Sequence, residues 1–324
     1  MHRVLSGIQP SGDPHIGNYL GAWVRWVGEQ VAGHFFCIVD QHAITVPFDP
    51  ADLRQRTVDL ATWLLAAGLD PDVCTLFVQS QVPEHTELAW NLNCVATMGE
   101  LSRMTQFKEK SEGRDSVSVG LFDYPVLQAA DILLYQAEQV PIGADQRQHV
   151  ELTRDLAARF NHRFGDTFTL PQPTFPTAGA RVMDLQLVDK KMSKSLGPAG
   201  TLLLNDDEAT TRKKLMRAVT DSGSEVRAAP DKPGVTNLLD LLAAVTGATV
   251  PELEDRYSGK GYGDFKADLA EAVNGVLRPV RERHKELSND PGAVRDALRK
   301  GADRAREAAV PTMETVRERL GFLR

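Results

Sequence analysis

Lys191-Met192-Ser193-Lys194-Ser195 places two ammonium groups and two hydroxyls on one short run, followed by Leu196 and Gly197. When a phosphate is transferred and pyrophosphate departs, negative charge builds on both. Lysines on a loop can meet that charge as it develops, which is electrostatic stabilisation of the transition state. Alone, such a run also describes a solvated loop. A second element lies far upstream. From Ser6 to Asn18 the chain reads as a strand end, a turn rich in Gly, Pro and Ser, and a helix start, with His15-Ile16-Gly17-Asn18 at the helix. A helix N-terminus offers unpaired N–H groups and positive potential to phosphates. His15 and Asn18 add side-chain donors, and Gly17 lets a flat base or ribose approach the backbone. Together the two elements point to chemistry on a nucleotide triphosphate.

The surrounding pattern tells what must position them. Arg3–Ile8 reads as a strand, and His15–Gln30 carries helical spacing through Tyr19, Leu20, Trp23, Val24 and Val27. Phe35–Val39 is a continuous apolar run, as in a strand buried on both faces. A helix is predicted over Asp52–Gly68, a strand over Cys74–Gln79, and a long helical stretch over Glu84–Met104. Lys108–Ser118 is polar and reads as a mobile loop. A helix follows over Leu121–Tyr135, with Pro125 near its first turn, then a brief strand at Val140–Gly143 and a helix over Asp145–Phe160 capped by Asp145. Glu151 and Arg154 are at pairing distance on that helix. Pro171, Pro173 and Pro176 then break the chain. Strands alternating with helices predict a doubly wound parallel α/β sheet, whose ligands sit beyond the carboxyl ends of its strands. After Thr201 the pattern is helix after helix: Asp206–Val219, Val235–Val245, Val250–Tyr257, Lys260–Lys285, Pro291–Lys300 and Asp303–Leu320. The expected organisation is an α/β domain over 1–200, with an inserted region at about 80–140, and an all-helical domain over 201–324.

Composition excludes several classes. The 324 residues carry 42% hydrophobic and 25% charged side chains, as in ordinary globular proteins. No apolar run reaches membrane-spanning length, and the N-terminal residues lack the apolar stretch of a signal peptide. Cys37, Cys74 and Cys94 form no CxxC pair, which disfavours a zinc or iron–sulfur site and reads as buried thiols in a reducing cytoplasm. A net charge of −7 argues against indiscriminate binding to nucleic acid.

With both elements in view, the chain resembles the class I aminoacyl-tRNA synthetases, whose HIGH and KMSKS signatures correspond to His15–Asn18 and Lys191–Ser195. Asn18 departs from the final His of HIGH; it keeps donors but cannot become cationic. Arg103–Lys110 (RMTQFKEK), Ile38–Thr45 (IVDQHAIT) and Gly261–Leu269 (GYGDFKADL) resemble the bacterial tryptophanyl-tRNA synthetases, and the resemblance runs from Leu5 to at least Arg278. It implies a Rossmann-like catalytic domain with a helical anticodon-binding domain. It also implies activation of L-tryptophan with ATP and Mg²⁺, transfer to tRNA(Trp) with release of AMP, a cytoplasmic homodimer, and no membrane partner or dedicated protein metal site. The implied catalytic residues are His15, Asn18, Lys108, Lys110, Lys191 and Lys194, the two middle lysines on a loop facing the ATP phosphates. Implied ATP contacts are Gln9, Pro10, Ser11, Gly17, Asn18, Gly143, Ala144, Asp145, Val182, Lys191, Met192, Ser193, Lys194 and Ser195.

The predicted helix at Leu121–Tyr135 bears on which amino acid is bound. Tyr124, Gln128 and Asp131 stand at i, i+4 and i+7 on one face, without the Lys or Glu of a solvated face. Indole nitrogen is a donor only, so a tryptophan pocket needs an acceptor, and a carboxylate is the strongest. Asp131 matches the family position for that role. By resemblance Tyr124 and Gln146 hold the α-amino group, while Leu5, Gln9, His42, Gln128, Val140 and Ile142 complete the pocket. Relatives carry Phe at the position of Leu5 and Met at that of Gln128. A Gln three residues before the Asp also occurs in tyrosine-activating members, so tyrosine stays an alternative. So does a relative that has lost aminoacylation, although His15, Lys191 and Lys194 are intact. Candidate tRNA contacts are Arg212-Lys213-Lys214 and Arg281, Arg283, His284 and Lys285.

Overall fold

A computed structural model describes residues 2–113, 116–175 and 182–323. Pro176, one of the expected chain breakers, lies outside the described residues. The chain runs through β1 (Val4–Ile8), then α1 (Ile16–Asn18), which continues through a π-helical turn at Tyr19–Trp23 into α2 (Val24–Glu29). There follow β2 (His34–Ile38), α3 (Asp40–Ala43), α4 (Pro50–Ala66), β3 (Thr75–Val78), α5 (Glu84–Asn93), α6 (Met98–Ser102), α7 (Thr105–Ser111) and α8 (Val119–Leu134). Next come β4 (Gln139–Pro141), α9 (Arg147–Phe164) and β5 (Gln172–Thr174), and then α10 (Glu208–Met216), α11 (Pro233–Thr246), α12 (Val250–Arg256), α13 (Tyr262–Ser288) and α14 (Pro291–Leu320).

The five strands form one sheet in the order β3-β2-β1-β4-β5, every neighbouring pair parallel. This is the doubly wound α/β plan expected. The order reverses between β1 and β4, which marks the crevice where such sheets bind ligands. The inner strands are apolar because helices cover both faces; Phe36, Cys37 and Ile38 of β2 are all buried.

Several boundaries differ from the sequence reading, each for a local reason. The stretch Glu84–Met104 divides because Thr97 starts a new helix: its side chain accepts from Glu100 N, and the Glu100 carboxylate accepts from Thr97 N. Pro125 lies inside α8 rather than in its first turn, since Ser118 caps the helix further upstream by accepting from Leu121 N. Asp145 is not the cap of α9. It sits in a 3-10 turn (Ala144–Gln146), where its carboxylate accepts from Gln106 Nε2 and Gln146 Nε2. Glu151 pairs with Arg147, while Arg154 donates to Pro171 O. Cys94 is exposed, unlike Cys37 and Cys74.

The expected helices Pro291–Lys300 and Asp303–Leu320 are one helix, α14. Gly301 is the reason the helix fits its place. A Cβ there would stand 1.8 Å from the Leu76 carbonyl oxygen, so only glycine lets α14 lie against the β3 backbone. From α14, Ala305, Ala309, Met313 and Val316 join the cluster that contains Leu5, Phe77 and Tyr135. On the other side, Phe265 and Leu277 of α13 pack with Trp63 and Leu64 of α4. Among the described residues no single helix is long and apolar enough to cross a membrane. Only the pair α11 and α12, bent by 105°, passes by length and composition, and its Leu238, Leu239, Leu241, Leu242 and Leu253 are buried in the core.

Candidate active site

A cavity of about 370 Å³ opens where the sheet order reverses. Strand β1 and its continuation contribute Leu5, Gly7 and Gln9; β4 and the following turn contribute Val140 to Gly143 and Gln146. From α3 comes His42, from α7 Gln106 and Lys110, and from α8 Tyr124, Gln128 and Asp131. Every residue expected around the amino-acid side chain is therefore in one cavity. The i, i+4, i+7 stripe of α8 faces it, and Asp123, one step off the stripe, turns to Asn93 instead.

Asp131 is buried, at 3% exposure. Its Oδ1 accepts from Gln79 Nε2 at 2.7 Å and from His85 Nδ1 at 2.6 Å, and its Oδ2 accepts from His42 Nε2 at 2.8 Å. Burial pushes this carboxyl up. The electrostatic influence and hydrogen bonds of His42 and then His85 outweigh burial and hold it well below the usual carboxylate range. The group is a carboxylate that accepts only.

At the neighbouring wall the Tyr124 hydroxyl donates to Gln106 Oε1 at 3.1 Å and lies 3.0 Å from His149 Nε2. Burial raises Tyr124 to about 12, with Asp145 adding to it. Burial and then Lys110 lower His149 to about 4, and its Nδ1 is buried without a partner among the described residues. Gln128 Nε2 donates to Gln146 Oε1 at 3.4 Å. The Lys110 ammonium lies 4.9 Å from the Tyr124 ring centre.

Lys108 and Lys110 were expected on a loop; they are on α7. That helix is held by Phe107 against Phe122 and by Gln148 Oε1, which accepts from Thr105 N. Two residues apart on a helix, they point differently: Lys110 lines the cavity and Lys108 is not among its lining residues.

The two signature elements meet beside this cavity. His15 caps α1 reciprocally with Asn18: Gly17 N donates to His15 Nδ1 at 3.1 Å, and His15 N donates to Asn18 Oδ1 at 3.0 Å. Because Nδ1 accepts, a neutral His15 carries its hydrogen on Nε2 and presents a donor there. Burial, then Lys194 and Lys191, lower it to about 4. Gly17 is required for this arrangement, as a Cβ would meet the His15 ring at 2.9 Å. Among the described residues, the Asn18 amide oxygen is the atom used in this cap. The Lys191–Ser195 run is anchored by buried Met192, whose N–H donates to Val182 O at 3.1 Å. Thr201 Oγ1 donates to Ser193 O at 3.1 Å. Lys194 Nζ donates to Ser11 O at 2.8 Å, and burial lowers that ammonium. Pro10 is buried beneath the turn, while Ser11 is exposed.

Sequence reading missed Gln79, His85, Gln106 and His149. Gln79 directly follows β3, so the rule that ligands gather at carboxyl ends of strands could have found it. His85 and His149 carry no such signal, because each sits within an amphipathic helix.

The candidate tRNA clusters divide. Lys214 is bound to Asp206 and Thr201 O; Arg281 to Leu204 O, Asn274 and Thr211; and His284 stacks on Trp63 at 3.6 Å beside Asp59. These hold the helices in place. Arg212, Lys213, Arg283 and Lys285 are exposed.

Against known proteins, residues 1–278 match the family model for class I tRNA synthetases (W and Y). A Streptomyces avermitilis protein named tryptophan–tRNA ligase 2 is 55% identical, covering 99% of this chain and 97% of its own. The tryptophan–tRNA ligase of Caldanaerobacter subterraneus is 52% identical over 100% of this chain and 99% of its own. The tryptophanyl-tRNA synthetase of Campylobacter jejuni, solved with ADP and tryptophan, superposes with a TM-score of 0.86 at 37% identity, covering 99% of this chain and 100% of its own. The Archaeoglobus fulgidus tyrosyl-tRNA synthetase shares the fold, with a TM-score of 0.68 at 20% identity.

Proposed function

The chain belongs to the class I tRNA synthetases of the tryptophan and tyrosine group, and we infer from that footing how its own residues perform the work of a tryptophan–tRNA ligase. The observation that carries the reading is Asp131, an acceptor-only carboxylate in the cavity at the sheet's switch point.

L-tryptophan enters that cavity with its indole N–H toward Asp131. Leu5, His42, Gln128, Val140 and Ile142 enclose the ring, with Gln9 at the rim. The Tyr124 hydroxyl already donates to Gln106, so its oxygen is available to accept from the α-ammonium, and Gln146 Oε1 joins it. ATP lies along Gln9–Asn18, Gly143–Asp145, Val182 and Lys191–Ser195. The tryptophan carboxylate attacks the α-phosphate, forming tryptophanyl-adenylate and expelling pyrophosphate. His15 Nε2–H and the Asn18 amide donate to phosphate oxygens. Lys191, Lys194 and Lys110 meet the charge that grows on the leaving pyrophosphate; Lys108 acts from outside the cavity. Transfer to the 3′ end of tRNA(Trp) then releases AMP.

Mg²⁺ comes with the ATP. Among the described residues no three His, Cys, Asp or Glu side chains cluster to hold an ion, and Mg²⁺ commonly keeps waters and phosphate oxygens as ligands. Bound there it neutralises part of the triphosphate charge. The α/β region over 1–200 does the activation, and the helices over 201–324 read the anticodon with exposed Arg212, Lys213, Arg283 and Lys285. The enzyme acts in the cytoplasm as a homodimer. The homodimer is the state that the family resemblance implies.

ATP–pyrophosphate exchange measured in parallel with tryptophan and tyrosine tests the reading. Exchange with tryptophan alone is expected, and no exchange with either amino acid sinks it. Gln128 is the one residue that favours tyrosine, and exchange driven by tyrosine would make that the substrate.

A further inference from the structure

Behind Asp131 a chain of buried groups runs away from the cavity. His85 Nδ1 meets Asp131 Oδ1 at 2.6 Å, and on the far side of the same ring His85 Nε2 lies 2.7 Å from the Tyr135 hydroxyl. His85 and Tyr135 are completely buried. The Tyr135 ring is stacked on Phe35 at 4.6 Å and set edge-on to Phe77 at 5.6 Å, so its hydroxyl has a fixed position. An ionised carboxylate can only accept, so His85 Nδ1 carries a hydrogen; in the neutral ring Nε2 is then the acceptor and Tyr135 O–H the donor. Gln79 fills the rest of Oδ1. Among the described residues the other oxygen, Oδ2, hydrogen-bonds only His42, which lines the cavity, whereas Gln79, His85 and Tyr135 do not line it.

We propose that Tyr135 and His85 are positioning residues for substrate selection: they lock one tautomer of His85, fix Asp131 by Oδ1, and so turn Oδ2 toward the cavity as a standing acceptor for the substrate N–H. The proposal rests on the reading of Asp131 as the indole acceptor. Its physical content is pre-organisation. A carboxylate held by both donors on one oxygen gains nothing by rotating, and it discriminates because a ligand without N–H leaves Oδ2 without that partner. The titratable groups around Asp131 are His42 on α3, His85 on α5, Cys37 on β2 and Tyr135 just after α8; Asp40 acts on Cys37, and Glu84 acts on Tyr135. His42, His85 and the Gln79 amide all donate to the carboxylate and favour its charged form. Removing His85 therefore raises the carboxyl's pKa and exposes it to protonation as pH falls.

The test is ATP–pyrophosphate exchange with tryptophan and with β-(3-benzothienyl)alanine, in which sulfur replaces the indole N–H, from about pH 6 to pH 9. In the unaltered enzyme the preference for tryptophan is expected to be flat over this range. His85→Leu is expected to narrow it by about tenfold or more, the scale of one hydrogen bond to a charged group. The loss falls in KM for tryptophan and grows toward low pH. Tyr135→Phe, which keeps the buried ring, narrows the preference less, and His85→Asn, which can keep a donor on Oδ1, restores most of it. Equal loss for both amino acids in His85→Leu, or a Tyr135→Phe enzyme whose preference matches the unaltered one, overturns the proposal. Asp131→Asn separates the two levels. If it leaves the preference intact, the underlying assignment of Asp131 fails; if it collapses the preference while the His85 and Tyr135 variants do not, only the positioning role fails.

Discussion

Lys194 and Ser11, 183 residues apart in sequence, are joined by a hydrogen bond of 2.8 Å from the ammonium to the carbonyl oxygen. This contact draws the Lys191–Ser195 run onto the turn that precedes the first signature helix. It also places the ammonium over Gly12, where a Cβ would stand 2.7 Å from Nζ. A lysine whose hydrogen-bond partner among the described residues is a neutral carbonyl is poised to exchange it for a phosphate oxygen.

Lys194→Ala is accordingly expected to lower the rate of amino-acid activation by about 10²–10³-fold, the cost of one pre-organised donor at a developing charge. The KM for tryptophan should change little, since Lys194 does not line the amino-acid cavity. Pyrophosphate exchange at saturating tryptophan measures this, and a pure affinity loss with normal turnover refutes it.

Asp131→Ala should weaken selection of tryptophan over tyrosine more than it weakens ATP binding. The substitution removes the cavity's buried carboxylate and leaves Gln79, His85 and His42 without their shared acceptor. Discrimination built on such a hydrogen bond is worth orders of magnitude, so a drop of about 10²-fold in the tryptophan-to-tyrosine ratio of kcat/KM is expected. An unchanged ratio counts against the assignment.

His15 and His149 both have values lowered from 6.5 to about 4, chiefly by burial. In the unfolded chain each takes a proton near pH 6.5, whereas the folded protein resists until about pH 4. Between these values unfolding takes up protons, so stability must fall as pH falls through that window. Thermal melts from pH 7 to about pH 4.5 should show this decline, and His149→Gln should flatten it. A variant whose melting temperature tracks the unaltered protein at every pH would contradict the assignment of the neutral form.

Gly301→Ala tests how α14 is seated. The added Cβ meets backbone rather than a yielding side chain, so the helix must shift off β3. A loss of about 1–3 kcal/mol is expected, as for overpacking a tight interface, read by urea denaturation. Full stability in the variant would mean the helix has slack.

Much of this was legible in the chain because it depends on spacing. The strand-and-helix alternation and the stripe Tyr124, Gln128, Asp131 are periodic, the two signature runs are contiguous, and both kinds of signal survive without coordinates. What escaped reading depends on contacts between distant segments. Gln79 and His85 stand 52 and 46 residues before Asp131 along the chain, yet both bond its carboxylate. Gly301 reads locally as a helix breaker; only the Leu76 carbonyl opposite explains why the helix continues through it. The Thr97–Glu100 box, by contrast, was written in the sequence, and the long apolar periodicity around it obscured the stop.

The seating of α14 also bears on how the protein comes into being. A ribosome releases β1 and β3 long before it releases Pro291–Leu320, and domains generally fold from the N-terminal side as they emerge. Here the hydrophobic cluster around Leu5, Phe77 and Tyr135 contains Ala305, Ala309, Met313 and Val316. The sheet that carries the active site thus waits, with one apolar flank uncovered, until α14 has been made. During that interval the nascent protein is open to aggregation and to chaperones, and truncations that spare every residue of the cavity would still leave its supporting core unfinished.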